Sequence, residues 1–323
     1  MKSYGTKQPI EISPIAPITN ESNCLTSEIA LLFLSPGAPF VLIYVILCWW
    51  LSTLTPLNIR PMPGEFLDDG ADTLTFIKDA SNDLPWLDHE TVTYNQLIMF
   101  SFGIPPLILL PVIKITSISG DLRAAVYGFS CSMATTNLVT NFAKNYVGRL
   151  RPFFYQRCGF DYQDFTCRLG APESDYIRQS FPSGHASLSM CSFLFCSLFL
   201  LGKINISQTN SSGNNNHLFD ISLGRYGKLR TTPFLSLLAT IPVWFSFWIC
   251  TTRIHDNWHH PSDALAGVVI GGFISFFFYH LGYGSIYDHD SSIPLVSALR
   301  TTMSASSRRS QSEQSSSETS LLI

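Results

Sequence analysis

Apolar segments of roughly membrane-spanning length recur along the chain, separated by polar stretches. A helix needs roughly 20 apolar residues to cross the hydrocarbon core of a bilayer. Windows near that length lie at about Leu31–Leu54, Gln96–Ile115, Leu122–Ala143, Ala186–Leu201, Pro233–Cys250 and Ala264–Tyr283. The pattern predicts an all-α fold, an integral membrane bundle of six transmembrane helices over residues 29–285. A polar segment, 1–28, precedes it, and a Ser-rich tail, 286–323, whose composition cannot bury a core, follows.

Composition supports a membrane protein and argues against some partners. Charged residues make up 13% of the chain, whereas soluble domains carry roughly 25%, and charge is costly in hydrocarbon. The net charge of −3 offers no basic surface, so no nucleic-acid partner is expected. The acidic first loop, about Thr55–Asn95, has room for a short helix. Cys158 and Cys167 share the third loop and are candidates for a disulfide.

The distribution of basic residues suggests an orientation. Six spans put both termini on one side, which carries 11 of the 20 Lys and Arg residues against 9 on the other. The difference widens when Lys144, Arg151 and Arg253 are set aside as candidate ligands. Because cytoplasmic loops carry the excess of Lys and Arg, we predict cytoplasmic termini in a multi-pass protein of the plasma membrane or an endomembrane.

Polar clusters at the ends of the predicted spans converge on the opposite, lumenal or extracellular, face. The third span leads into Lys144 and Arg151, the fourth begins at Ser183-Gly184-His185, and the fifth and sixth are joined by a stretch with three key residues: Arg253, His259 and Asp263. Lysine and arginine supply fixed positive charge, and a guanidinium group can bind two oxygens of one phosphate at the same time. A helix that starts at Ser183 and Gly184 presents free backbone N–H groups to an anion. The clusters therefore predict a phosphate site.

The histidines of these clusters suit phosphoryl transfer. A neutral imidazole at His259 is a nucleophile, and Asp263, one helical turn later, would orient it. His185 would act as general acid and base. The spacing of His255 and His259 also suits two metal ligands, but the basic surroundings disfavour a cation.

The ordered motifs resemble the signature of the type 2 phosphatidic acid phosphatase superfamily. They are Lys144-x6-Arg151-Pro152, Pro182-Ser183-Gly184-His185 and Arg253-x5-His259-x3-Asp263, and Thr252 stands where the third motif usually opens with Ser. Within the superfamily, the chain looks most like the eukaryotic lipid phosphate phosphatases.

The resemblance implies hydrolysis of lipid phosphate monoesters, such as phosphatidic acid, lysophosphatidic acid or diacylglycerol pyrophosphate, without a metal or other cofactor. It implies a phosphohistidine at His259, with Asp263 and His185 assisting. Lys144, Arg151, Ser183, Gly184 and Arg253 would hold the phosphate of a substrate whose tail stays in the bilayer. Polyprenyl diphosphate or a sphingoid base phosphate is an alternative substrate, and a catalytically inactive lipid-binding relative is an alternative function.

Overall fold

A computed structural model describes residues 29–30, 32–54, 57–61, 64–68, 74–116, 118–161, 166–168, 173–205, 219–222, 228–231, 233–286 and 293–295. The predicted polar segment 1–28 and nearly all of the predicted tail 286–323 lie outside these residues. All eight candidate site residues lie within them.

Helices dominate the described part of the chain. The helices that bear on the site and its support are α1 (Ala38–Leu54), α2 (Tyr94–Thr116), α3 (Asp121–Val147), α4 (Phe154–Cys158), α5 (Glu173–Tyr176), α6 (Gly184–Lys203), α7 (Pro233–Ala239), α8 (Ile241–His255) and α9 (Pro261–Gly282). Each predicted apolar window contains helix. By length and composition, α2, α6 and α9 are apolar enough to cross a membrane, and α1 is a shorter apolar helix.

The fifth apolar window is predicted as one continuous helix, but the structure has two helices there. The structure divides it into α7 and α8 at Thr240, just before Pro242 in the first turn of α8. Proline has no backbone N–H to donate to the preceding turn, and it is favoured at the start of a helix. The helix therefore ends and restarts at this point.

Within the described residues, three small antiparallel sheets, two of them hairpins and one three-stranded, depart from the all-α prediction. They are β1 (Gly64–Asp68) with β2 (Leu74–Lys78), β3 (Phe160–Asp161) with β4 (Thr166–Cys167), and β5 (Ile204–Asn205) with β6 (Phe219–Ser222) and β7 (Lys228–Thr231). The first loop, which has room for a short helix, contains the β1–β2 hairpin and a short 3₁₀ helix at Ala80–Asn82. Thr75, Phe76 and Ile77 in β2 are β-branched or aromatic residues, which favour a strand, and Phe76 stacks on Phe160.

Helix α6 lies at the centre of the bundle, and α9 crosses it closely. A Cβ on Gly271 would lie 2.1 Å from the carbonyl oxygen of Ser187, and one on Gly267 would lie 2.6 Å from that of Ser183. Small residues four apart allow this approach of two helix backbones, as in membrane bundles. Because the contact involves Ser183, it also fixes the beginning of α6, where the site lies.

The outward surface of the bundle is apolar, while its interior contains hydroxyl pairs. On α9, Leu265, Val269 and Phe273 are 60% or more exposed. Inside, the hydroxyls of Ser189 and Ser246 lie 2.9 Å apart. This distribution reverses that of a soluble protein and suits helices surrounded by lipid, where polar side chains join helices.

A buried ion pair joins three helices at the end of the bundle opposite the candidate site. Lys203, at the end of α6, lies 2.7 Å from Asp121 at the start of α3. The Tyr283 hydroxyl, after α9, donates to the same carboxylate at 2.8 Å. These contacts show that α3 runs in the direction opposite to α6 and α9. The C-terminal end of α3 and the N-terminal ends of α6 and α9 therefore lie at one face.

Candidate active site

A cavity of about 200 Å³ lies at that face, between the ends of the helices. Five of the predicted residues line it: Lys144, Arg151, Gly184, His185 and Arg253. The cavity walls also include polar and aromatic groups that the sequence motifs do not contain: Glu90, Tyr94, Asn137, Thr140, Asn141, Tyr176, Gln179 and Trp258. His259, Asp263 and Ser183 do not line the cavity but are buried beside it.

Two of the three basic residues of the cavity, Lys144 and Arg151, are held by hydrogen bonds to backbone carbonyls. Lys144 donates to the carbonyl of Gln179 at 2.8 Å. Arg151 donates through Nε to the Tyr176 carbonyl at 3.1 Å and through Nη1 to the Trp258 carbonyl at 3.0 Å. Its guanidinium also lies over the Tyr176 ring, 4.3 Å from the centroid. Such contacts fix the cations before a ligand arrives, which lowers the entropy cost of binding.

Arg253 is fully buried and held by the loop that precedes α2. Its Nη1 donates to the Val92 carbonyl at 2.8 Å, and its Nη2 donates to the Glu90 carboxylate at 2.8 Å. The loop itself is held by Asp256, which accepts from the backbone N–H and hydroxyl of Thr91 at 2.7 and 2.8 Å. The position of the Arg253 guanidinium therefore depends on a segment that is distant in sequence.

Buried polar groups that line the cavity have no hydrogen-bond partner among the described residues. They are Nε of Arg253, Nε1 of Trp258 and Nε2 of His185. A buried donor without a partner costs free energy, of the order of 1–3 kcal/mol. Two N–H groups of this kind beside three cations favour an anion with several acceptor oxygens, and a phosphate group supplies them.

The ring of His259 is held in one tautomer by a backbone carbonyl. Its Nδ1 lies 2.7 Å from the carbonyl oxygen of Ser180, so Nδ1 carries the proton and donates. Nε2 then holds the lone pair. Burial, reinforced by the positive charges of Arg151 and Lys144 and opposed by Asp263, holds the pKa of His259 well below its usual range. The imidazole is therefore neutral at neutral pH, as a nucleophile needs to be.

Asp263 supports His259 from a greater distance than its position one helical turn later suggests. Its Oδ2 lies 3.8 Å from Nδ1 of His259, beyond hydrogen-bonding distance. The same oxygen accepts from the Ser180 hydroxyl at 2.6 Å and the backbone N–H of His260 at 3.1 Å. Oδ1 accepts from Arg149 at 2.6 Å. The hydrogen-bonded connection between Asp263 and His259 thus passes through Ser180.

The remaining predicted residues have distinct positions. Ser183 caps α6, and its hydroxyl accepts from the N–H of Ala186 at 3.4 Å. Gly184 lines the cavity beside the Lys144 side chain. His255 is 82% exposed and lies against Asp256, and no cluster of three potential metal ligands occurs within the described ranges. Cys158 is disulfide-bonded, but the Cys167 side chain lies outside the described residues, so their pairing stays a prediction.

Several residues around the site were not among the predicted ones. Ser180, Arg149 and Glu90 contact site residues that are 79 to 163 positions away in sequence. Glu90 looks like an ordinary surface charge in the sequence. The Arg-x-Arg-Pro spacing was available as a signal for Arg149, but nothing local distinguishes Ser180 from other serines of this Ser-rich chain.

Comparison with known proteins places these residues in a family. Residues 125–287 match the family described as the PAP2 superfamily, and this range includes every candidate residue from Lys144 to Asp263. The chain is 31% identical over 182 residues to "Probable lipid phosphate phosphatase 4" of Arabidopsis thaliana, covering 54% of this chain and 53% of that protein. It is 29% identical to "Lipid phosphate phosphatase 1" of the same plant, covering 66% and 62%.

A yeast protein with a related name is also similar. "Diacylglycerol pyrophosphate phosphatase 1" of Saccharomyces cerevisiae is 27% identical over 234 residues, covering 66% of this chain and 72% of that protein. The matches thus span 53% and 62% of the length of the two plant relatives. No solved structure matches the chain.

Proposed function

Because the chain belongs to the PAP2 superfamily, we propose that it is a membrane phosphatase that hydrolyses lipid phosphate monoesters through a phosphohistidine. The proposed substrates are phosphatidic acid, lysophosphatidic acid and diacylglycerol pyrophosphate, the last of which appears in the name of the yeast relative. The observation that carries the proposal is the cavity with three fixed cations and unpartnered donors beside a neutral, tautomer-fixed His259.

In the first step, Nε2 of His259 attacks phosphorus. The N–P bond forms as the bond from phosphorus to the lipid oxygen breaks. His185 takes up a proton when the anionic phosphate binds beside it, and it gives this proton to the departing alkoxide. The lipid alcohol leaves, and phosphate stays bound to His259. Lys144, Arg151 and Arg253 stabilise the negative charge on the equatorial oxygens, together with the N–H groups at the start of α6.

In the second step, water attacks the phosphohistidine. His185, now neutral, accepts a proton from the water, the N–P bond breaks, and inorganic phosphate is released. The positive charge that develops on His259 while it carries the phosphoryl group is stabilised by the Ser180 carbonyl and by the nearby Asp263 carboxylate. No step needs a metal ion or another cofactor.

We place the site at one membrane surface of a six-span bundle, with α7 and α8 together forming the fifth span. Substrates with tails in the bilayer reach such a site without leaving the lipid. The lumenal or extracellular placement of the site, with cytoplasmic termini, rests on the charge asymmetry of the loops. N-linked glycan at Asn20, Asn205 or Asn210 would contradict this orientation.

The activity is tested by phosphate release from phosphatidic acid, with purified full-length protein in detergent and EDTA. We expect His259→Ala and His185→Ala to lower the rate at least about 1,000-fold, because each removes a reacting group. Full activity in both variants would refute the mechanism. A panel that includes polyprenyl diphosphate and a sphingoid base phosphate identifies the preferred lipid, and absence of turnover on all of them would favour an inactive lipid-binding protein.

A further inference from the structure

Glu90 is a carboxylate in the wall of a cavity otherwise suited to anions. It lies in the loop before α2, lines the cavity, and accepts from Nη2 of Arg253 at 2.8 Å. Its side chain is 20% exposed, whereas that of Arg253 is fully buried. A negative group at this position opposes the binding of a phosphate, because like charges in a partly buried site repel each other.

The position of Glu90 is imposed by the fold. The neighbouring Thr91 is held through its backbone N–H and its hydroxyl by Asp256, and the buried Val92 accepts from Arg253 through its carbonyl. The two residues that follow Glu90 are therefore anchored, and they keep its carboxylate next to the guanidinium of Arg253.

From these contacts we infer that Glu90 is an internal counter-ion that weakens the cavity's affinity for free inorganic phosphate. This inference deepens the proposed function and rests on it. Lys144, Arg151 and Arg253 together would retain a phosphate dianion strongly, and the product of the reaction would then block the site. A lipid substrate gains additional affinity from its apolar tail, whereas inorganic phosphate has only the cavity. Glu90 thus lowers occupancy of the cavity by free phosphate, while the apolar tail keeps the lipid substrate bound.

Direct binding of inorganic phosphate tests the inference without requiring turnover. Isothermal titration of full-length protein in detergent compares the wild type with Glu90→Gln, whose amide oxygen still accepts from Arg253 while the charge is removed. Asp88→Asn is the matched control, since Asp88 lies two residues away, is exposed and does not line the cavity. Glu90→Asp keeps the charge and shortens the side chain. If the glutamine variant does not fold, Glu90→Ala removes the same charge.

We expect the Kd for phosphate to fall about tenfold in Glu90→Gln, the scale of one partly screened charge interaction in a protein site. Asp88→Asn and Glu90→Asp should stay within about twofold of the wild type. A general structural defect would weaken binding, so tighter binding is specific to the inference. Unchanged or weaker binding in the folded neutral variant would overturn it, as would equal tightening in Glu90→Asp. If Glu90→Gln binds phosphate more tightly and the control variants do not, but the protein hydrolyses no lipid phosphate, the proposed activity would be refuted and the charge role of Glu90 would remain supported.

Discussion

Replacement of Ser180 by alanine separates two contacts that this residue makes in the active site. The Ser180 carbonyl accepts from Nδ1 of His259 at 2.7 Å, and the hydroxyl donates to Asp263 at 2.6 Å. Alanine keeps the carbonyl and removes the hydroxyl. The variant therefore tests whether the hydrogen-bonded connection between Asp263 and His259 contributes to catalysis beyond fixing the tautomer.

The expected loss follows from the contacts that remain. A hydrogen bond to a charged group contributes about 1.5–3 kcal/mol. The Asp263 carboxylate keeps Arg149 and the His260 backbone N–H at 2.6 and 3.1 Å, so the lower end, about 1.5 kcal/mol, is appropriate. A loss of that size in the transition state lowers kcat roughly tenfold. KM should change little, because Ser180 does not line the cavity.

The assay is steady-state phosphate release from phosphatidic acid in detergent micelles, with Ser180→Thr as the conservative variant that retains a hydroxyl. We expect Ser180→Thr to recover most of the lost kcat. A kcat for Ser180→Ala within about twofold of the wild type, or a rise in KM alone, would refute the assignment of Ser180 as a positioning residue.

Two further predictions concern protonation and helix packing. Because the pKa of His259 is lowered in the folded protein, its imidazole should remain neutral as the pH falls below the ordinary histidine value of about 6.5, and it should protonate only at lower pH. ¹⁵N spectra of labelled histidine, with the His259 signal assigned from the His259→Asn variant, measure this pKa. A pKa at or above about 6.5 would contradict the prediction. Gly271→Ala should destabilise the protein by about 2 kcal/mol or more, since its Cβ would overlap a carbonyl of α6. Gly103→Ala is the matched control, because its Cβ would have nothing within 4 Å; equal melting temperatures of the two variants in detergent would show that the close crossing is not required.

Much of the helical framework follows from the sequence, because membrane-spanning length and apolar composition are local properties. Each apolar window contains helix, and the Lys144, His185 and Arg253 clusters converge at one face because the helices alternate in direction. The Thr240 break was less visible, since a proline in an apolar run is compatible both with a bent helix and with the start of a new one. The β1–β2 hairpin was missed because its two five-residue strands lie within a long acidic loop, where so short a strand signal is weak.

The chemistry of the candidate site divides in the same way. Residue type and spacing alone indicated a phosphate site, because Lys144, Arg151 and Arg253 are of the cationic types that bind phosphate. Sequence spacing also suggested a direct contact between Asp263 and His259. Only the tertiary structure decided that Ser180 connects these two residues and that Glu90 forms an ion pair with Arg253. Those contacts join residues that are distant in the chain and depend on where a carbonyl points or a loop lies, which no local pattern of residue types records.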